Sequence, residues 1–301
     1  MGQFYQQRDV ELADYELWSI DRDFEYLRGP RPMSLSSSEP NFVAYFGAAQ
    51  TFGAMCRYPF PNLISSMAGV EALNLGVGAA SPALYLRRKD LLELTRHAKC
   101  AIVQVMSARA SENRMMVNPV GRGDLRWRHE PSDTPLRRAI EFYKELIDTR
   151  DENFVLQLVH ETRETWIEEY RKLANLIQCP KILVWIGKRS PDYQMSVDSV
   201  HALFGRFPQL VDRESFDAIS KFFNLTVEAT YGDENPPPLL NRFTGQRGAN
   251  IKGPPLKLTN TYYPSQREHI EVALALQPII EKYTVQNSSK ASAKTSFWSK
   301  L

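Results

Sequence analysis

Residues 42–53 read FVAYFGAAQTFG. Five apolar residues, Phe42 to Phe46, run into Gly47. A run this short, apolar at every position and closed by a small residue, suits a parallel strand buried on both faces. The same punctuation recurs at Ala72–Leu75 before Gly76, at Cys100–Met106 before Ser107 and at Lys181–Ile186 before Gly187. Phe222–Glu228 is a weaker fifth run. One such run also fits a buried helical segment, but four with one punctuation favour strands.

Helical patterns lie between the runs. Ser81-Pro82 opens one that extends to about Ala98, because Ser caps well and Pro suits the first helical position. From Glu161 to Ile177, Trp166, Tyr170, Leu173 and Ile177 recur at helical spacing, with Glu164, Glu168, Glu169 and Lys172 on the other face. Cys179-Pro180 stops that helix before the next strand. A last helix starts near Ser265, with Ile270, Ala273 and Leu274 predicted inward and Pro278 predicted to kink or end it short of Tyr283. Alternating strands and helices predict an α/β three-layer sandwich, flavodoxin-like, with about five parallel strands.

Composition narrows the class. With 37 Lys and Arg against 35 Asp and Glu, the net charge of +2 gives no electrostatic footprint for nucleic acid. Cys56, Cys100 and Cys179 are far apart and odd in number, which argues against a disulfide framework or zinc site and for a reducing, cytoplasmic setting. His97, His129, His160 and His201 show no metal-ligand spacing, so no metal is expected. The polar, acidic N-terminus does not look like a secretory signal, and Gln6 stands where a myristoylated Gly2 would need Ser or Thr. No apolar run approaches the roughly 20 residues that span a bilayer, so no integral membrane segment is expected, although peripheral binding stays open.

Two stretches break the pattern. Residues 118–135 are rich in Gly, Arg and Pro, and residues 232–255 hold Pro236, Pro237, Pro238, Gly245, Gly248 and Gly253 with almost no periodicity. Long irregular loops of this kind are commonly functional. The Ser- and Lys-rich end from about Gln286 has a disordered composition.

In a doubly wound sheet, ligands sit beyond the carboxyl ends of the strands. There, Gly47 to Gly53 resembles the first block of the SGNH, or GDSL-type, hydrolases, Gly-Asp-Ser-Leu-Thr-Phe-Gly, at Gly47, Thr51, Phe52 and Gly53. Asn74-Leu75-Gly76-Val77-Gly78 is similar to that family's second block, whose glycine supplies an oxyanion donor. Ser265 to His269 is similar to its Asp-x-x-His block, with His269 at the histidine and Gln266 at the aspartate. The departures lie at the chemistry. Ala49 replaces the nucleophile, Ala48 its neighbour, and Gln266 cannot stabilise an imidazolium by charge. The third block, Gly-x-Asn-Asp, has no simple counterpart, since Asn113 comes late and Arg109 lies nearer the expected asparagine.

A closer likeness covers about residues 10 to 283. Arg28-Gly29-Pro30, GAAQTFG (47–53), Pro59-Phe60-Pro61, LNLGVGAASP (73–82), QVMSARASEN (104–113), WIGKRSPDY (185–193), GRFPQLV (205–211) and NTYYPSQREH (260–269) resemble, in order, an uncharacterised bacterial domain-of-unknown-function family, found mainly in marine alphaproteobacteria. Gly47 to Gln50 is also faintly similar to a capsular-polysaccharide biosynthesis family. The organisation these imply is an extension over residues 1–40 packed on the domain, a single SGNH-like domain over 41–284 and a flexible tail over 285–301.

Convergent strand ends would bring Gln50, Gly76, Gly78, Ser81, Ser107, Arg109, Asn113, Lys188 and Arg189 into one crevice, with Gln50, Gly76, Gly78, Ser107, Arg109, Asn113 and Arg189 as ligand-binding groups and His269 and Thr51 as catalytic ones. Amides near Gly47 and Gly76 and the forks of Arg109 and Arg189 suit an anionic or hydroxylated small molecule or a carbohydrate. Two functions fit. A group transferase would use His269 as base on an acceptor hydroxyl of a carbohydrate or lipid, which then attacks an activated acyl or sulfuryl donor. A pseudo-hydrolase would hold an anionic ligand without turnover. Each residue has a plainer role as well: Thr51 fixing a turn, His269 bonding a carbonyl, the arginines pairing at the surface, Tyr262 and Tyr263 packing. Ser81 and Ser107 have no identifiable base. Donor identity and self-association are open at this level.

Overall fold

The computed structural model describes residues 2–20, 26–231, 236–251 and 253–295. Its strands are β1 (Phe42–Phe46), β2 (Glu71–Asn74), β3 (Ala101–Gln104), β4 (Met116–Val117), β5 (Asp124–Trp127), β6 (Arg137–Arg138), β7 (Lys181–Gly187) and β8 (Leu225–Thr230). Five of them form one sheet in the order β2-β1-β3-β7-β8, with every neighbouring pair parallel. That is the flavodoxin-like order, second-first-third-fourth-fifth, and it puts a switch point beside β1. The α/β class and the five-strand parallel sheet stand as expected.

Side chains on β1 alternate between two cores because successive residues of a strand point to opposite faces. Phe42, Ala44 and Phe46 enter the larger core with Trp166, Tyr170 and Trp185. Val43 and Tyr45 enter the other with Phe60, Ile64, Val272, Leu276 and Ile280. All five β1 residues are buried. Burying a large apolar side chain contributes about 1.5–3 kcal/mol, so this double burial anchors the sheet.

Boundaries moved where hydrogen bonds overrode hydropathy. The fifth strand starts at Leu225, not Phe222, because Asn224 clamps the start of β7: its N–H donates to the Lys181 carbonyl at 2.9 Å and its Oδ1 accepts from the Lys181 N–H at 2.9 Å. The helix expected from Ser81 to Ala98 is two short ones, Pro82–Arg87 and Lys89–Glu93. Ser81 does not cap the first; its hydroxyl donates to the Gly121 carbonyl at 2.9 Å. The long helix runs Glu152–Leu176, opened by Asp151, whose carboxylate accepts from the Phe154 N–H. It buries Trp166, Tyr170 and Leu173 as the spacing predicts.

The C-terminal helix spans Gln266–Thr295 and passes through Pro278, which is exposed. A proline on the solvent side leaves the freed carbonyl to water. The inward stripe is Val272, Ala273, Leu276 and Ile280, whereas Ile270 and Leu274 face outward, 43% and 56% exposed. Residues 285–295 of the expected tail lie within this helix, and 296–301 lie outside the described residues. The 118–135 stretch builds much of a small antiparallel sheet, β4-β5-β6, that packs Trp127 on Phe142 at 4.7 Å.

Tyr5, Tyr15 and Arg28 before β1 are buried in the packing. Tyr5 and Tyr15 sit on Phe52 at 5.2 and 5.0 Å between ring centres. Arg28 is buried, donating to the carbonyls of Gly53, Cys56 and Arg57 and lying over the Tyr15 ring at 4.4 Å. Among the described residues no helix is long and apolar enough to cross a membrane.

Candidate functional site

β1 ends at Phe46 and the chain turns at Gly47 into a four-residue helix, Ala49–Phe52. A side chain at Gly47 would collide with Thr51 and Gln104, so only glycine fits. Gly53 closes the helix at φ +79°, a left-handed conformation glycine adopts without strain.

Gln104, the last residue of β3, governs this elbow. It is fully buried, and its Oε1 accepts from the Ala48 N–H at 3.0 Å, the Thr51 N–H at 3.2 Å and the Thr51 hydroxyl at 2.6 Å. Asn74, the last residue of β2, does the same from the other side. Its Oδ1 accepts from the Gly76 N–H at 2.9 Å, and its Nδ2 donates to the Thr51 carbonyl at 2.9 Å. The Gly47 N–H donates to the Tyr85 hydroxyl at 3.1 Å. The amides expected to face an anion at Gly47 and Gly76 are therefore used inside the protein. Thr51 is fully buried with its hydroxyl engaged, so it fixes the turn and does not reach the crevice. Gly76 packs against Phe52, and Gly78 makes room for the Tyr5 hydroxyl; neither offers a contact to the crevice.

Beyond the strand ends lie two cavities. The smaller, about 230 Å³, is lined by Tyr5, Ala49, Gln50, Ser107 and Arg109, among others. The larger, about 910 Å³, is lined by Arg109, Lys188, His201, Arg206 and aromatic side chains, with no carboxylate among its described lining residues. Arg109, Phe207 and Tyr262 line both, so the two form one crevice across the ends of β1, β3 and β7. Arg109 is half-buried and makes no hydrogen bond or ion pair among the described residues. Lys188 stands 3.6 Å from Glu268, a buried carboxylate that also accepts from the Ser265 N–H at 2.6 Å.

Gln50, Ser81, Ser107, Arg109 and Lys188 line the crevice. The Ser107 hydroxyl donates to Gln209 Oε1 and accepts from the Gln209 N–H at 3.1 Å. Asn113 and Arg189 do not reach it. Asn113 is a turn residue: its Oδ1 accepts from the N–H groups of Met115 and Met116, and its Nδ2 donates to Thr162. Arg189 knits a loop, donating to the carbonyls of Arg206, Ser190, Pro208 and Val211 while stacking 3.9 Å above the Tyr193 ring. Burial pushes its guanidinium down to about 10.

His269 lies elsewhere too. It is 1% exposed and lines neither cavity. Its Nδ1 accepts from the Phe60 N–H at 3.2 Å, its ring stacks on Phe60 at 6.1 Å, and its Nε2 has no partner among the described residues. Burial, and then the charge of Arg28, pushes it down to about 3. A neutral imidazole so held has little basicity near neutral pH and no path to a ligand. Gln266 is likewise spent on the Tyr58 backbone, accepting from its N–H at 3.0 Å and donating to its carbonyl at 2.7 Å.

Residues not singled out from the sequence shape the site. Gln104 and Asn74 carry a visible signal, a lone amide inside an apolar run. Phe207 and Gln209 lie in the quoted blocks, but nothing local marks them as crevice residues. Glu268 stands next to the expected base and points to Lys188 instead.

A family model described as Domain of unknown function (DUF6473) matches residues 4–120 and 141–284. The chain belongs to this family. No curated protein matches it. Among solved structures, the DUF6473 chain is similar to a carbohydrate esterase family 2 enzyme from Corynascus thermopiles (Myceliophthora fergusii), at 9% identity over 87% of this chain and 70% of that one, TM-score 0.38. It is also similar to an alpha/beta hydrolase from the metagenome of Lake Arreo, Spain, at 10% identity over 81% and 96%, TM-score 0.41. A G-D-S-L family protein from Desulfitobacterium hafniense matches at 12% identity over 78% and 99%, TM-score 0.34. These likenesses concern the scaffold and say nothing about the residues of the crevice.

Proposed function

We propose that the crevice binds a small anionic molecule bearing hydroxyl groups, an acidic sugar being the class that fits best, and holds it without a covalent intermediate. One observation carries this. Arg109 presents a guanidinium with no partner among the described residues where the two cavities meet, and Lys188, His201 and Arg206 line the larger one. A planar fork with free donors suits a carboxylate, phosphate or sulfate. Phe207 and Tyr262 add apolar faces on which a sugar ring can lie. At position 49 the side chain facing the smaller cavity is a methyl group, which cannot form an acyl-enzyme.

Group transfer with His269 as base has less support. A general base must come within hydrogen-bond reach of the proton it takes. His269 is buried against Phe60 with one nitrogen already engaged. The activated acyl or sulfuryl donor expected for a transferase therefore has no partner chemistry at that residue.

Thermal-shift titration tests the binding reading. Glucuronate and glucose 6-phosphate should raise the melting temperature, and glucose should not. Arg109→Met should lose the response while melting, without ligand, at the wild-type temperature. Equal responses to charged and neutral sugars, or an Arg109→Met protein that still responds, would remove the proposal.

A further inference from the structure

We propose that the arm formed by residues 236–251 and 253–261 docks on a membrane surface containing anionic lipid. The arm is three short extended pieces joined by antiparallel bridges, Pro238 to Thr259, Leu240 to Arg247 and Ala249 to Lys257. It is tied to the N-terminal segment around the turn between Leu240 and Arg247. The Arg242 N–H and guanidinium donate to the carbonyls of Glu11 and Val10, and the Glu11 carboxylate accepts from Asn241 and Asn250. Its large apolar side chains point away from the protein: Leu240 is 54% exposed, Phe243 66%, Leu256 54% and Leu258 58%.

Both faces of the arm are apolar. Bridge partners share a face, so Leu240 lies on the side of Arg247. Gly248, the next residue, faces the other way. There its missing side chain would meet Leu258 at 3.1 Å and Leu256 at 3.4 Å. Phe243 lies in the turn with the Arg242 guanidinium 4.5 Å above its ring.

Charge selects the lipid. From Pro236 to Arg267 the sequence holds Arg242, Arg247, Lys252, Lys257 and Arg267 and no Asp or Glu. Arg242 also approaches Asp14 at 3.5 Å, and Arg267 pairs with Glu271 at 3.2 Å. Arg247 and Lys257 are exposed, and their side chains make no ion pair or hydrogen bond among the described residues. Exposed apolar side chains interleaved with free cations are the chemistry of interfacial binding to anionic leaflets. The inference is independent of the ligand proposed above. It bears on that ligand through Tyr262, which lines both the crevice and the cavity against the arm at Ile251 and Leu256.

Co-sedimentation of the full chain with vesicles tests this. The protein should pellet with phosphatidylcholine vesicles containing phosphatidylglycerol and stay in solution with phosphatidylcholine alone. Phe243→Ser with Leu256→Ser, and separately Arg247→Glu with Lys257→Glu, should each lower partitioning by about tenfold. All four side chains are exposed, so both variants should melt with the wild type. Failure of the wild type to bind anionic vesicles would overturn the proposal, as would binding that neither pair of substitutions weakens. Self-association in analytical ultracentrifugation, abolished by the apolar pair in a protein that ignores vesicles, would give the arm to a second copy of the chain and overturn it equally.

Discussion

The two ends of the crevice treat buried polar groups in opposite ways. At the β1–β2 end, Gln104, Asn74 and Tyr85 engage the amides of Gly47, Ala48, Thr51 and Gly76 within the protein. At the β3–β7 end, Arg109 has no partner among the described residues, and the neighbouring cavity has no described lining carboxylate. A buried donor whose partner is supplied by the fold contributes to stability, while one left free is available to a ligand. The contrast makes the elbow a structural corner and is why the binding proposed here is assigned to the other end.

Breaking the closed end should have the largest effect. Gln104→Leu orphans three buried donors, and at roughly 1–3 kcal/mol each the variant should lose about 4 kcal/mol in denaturant unfolding. A loss below about 1 kcal/mol would mean that the corner is held by something else.

His269 comes next. Its neutral form is favoured in the folded state at about 3 against an ordinary 6.5, so its contribution is present above pH 6.5 and is lost as pH falls toward 3. Near pH 4 the wild type should have lost about 3 kcal/mol that His269→Gln does not lose, read as the difference in slope between the two proteins.

Glu169 sharpens the comparison with the opposite sign. It is buried between Ser111 and the outer cleft near Arg87, and burial pushes its carboxyl up to about 7 from 4.5. Stability from its neutral form is full below pH 4.5 and is lost as pH rises through 7. Glu169→Gln should match the wild type at acid pH and gain roughly 2 to 3 kcal/mol above neutrality, measured by unfolding across pH.

Arg109→Met should do least to the fold, within about 0.5 kcal/mol, because it breaks no internal hydrogen bond; its whole effect should fall on anion binding. A large destabilisation by this substitution would erase the distinction between the two ends.

Much of the architecture was legible because a parallel strand must be apolar on both faces. Phe42–Phe46 could be placed to the residue for that reason, and the Glu152–Leu176 helix could be seen from Trp166, Tyr170 and Leu173. The C-terminal helix was misjudged in rotation. Ile270, Ala273 and Leu274 form as good a stripe as Val272, Ala273 and Leu276, and the choice depends on where β1 and the helix Phe60–Ala68 lie. The site was less legible still. Gln50, Ser107 and Arg109 follow strands and reach the crevice, whereas Asn113 and Arg189, placed by the same rule, turn back to bond their own loops.

The sequence by itself determined the layers, the direction of the sheet and the methyl group at position 49. Each depends on hydropathy, punctuation or residue identity within a few positions, and such short-range properties are written along the chain. Which polar groups are satisfied was decided only when distant segments met. Gln104 meets Thr51 across 53 residues, and His269 meets Phe60 across 209. Hydrogen-bond partners and exclusion from water are set by approach in space, so the role of an imidazole or a guanidinium in this protein followed from the fold and not from its position in a motif.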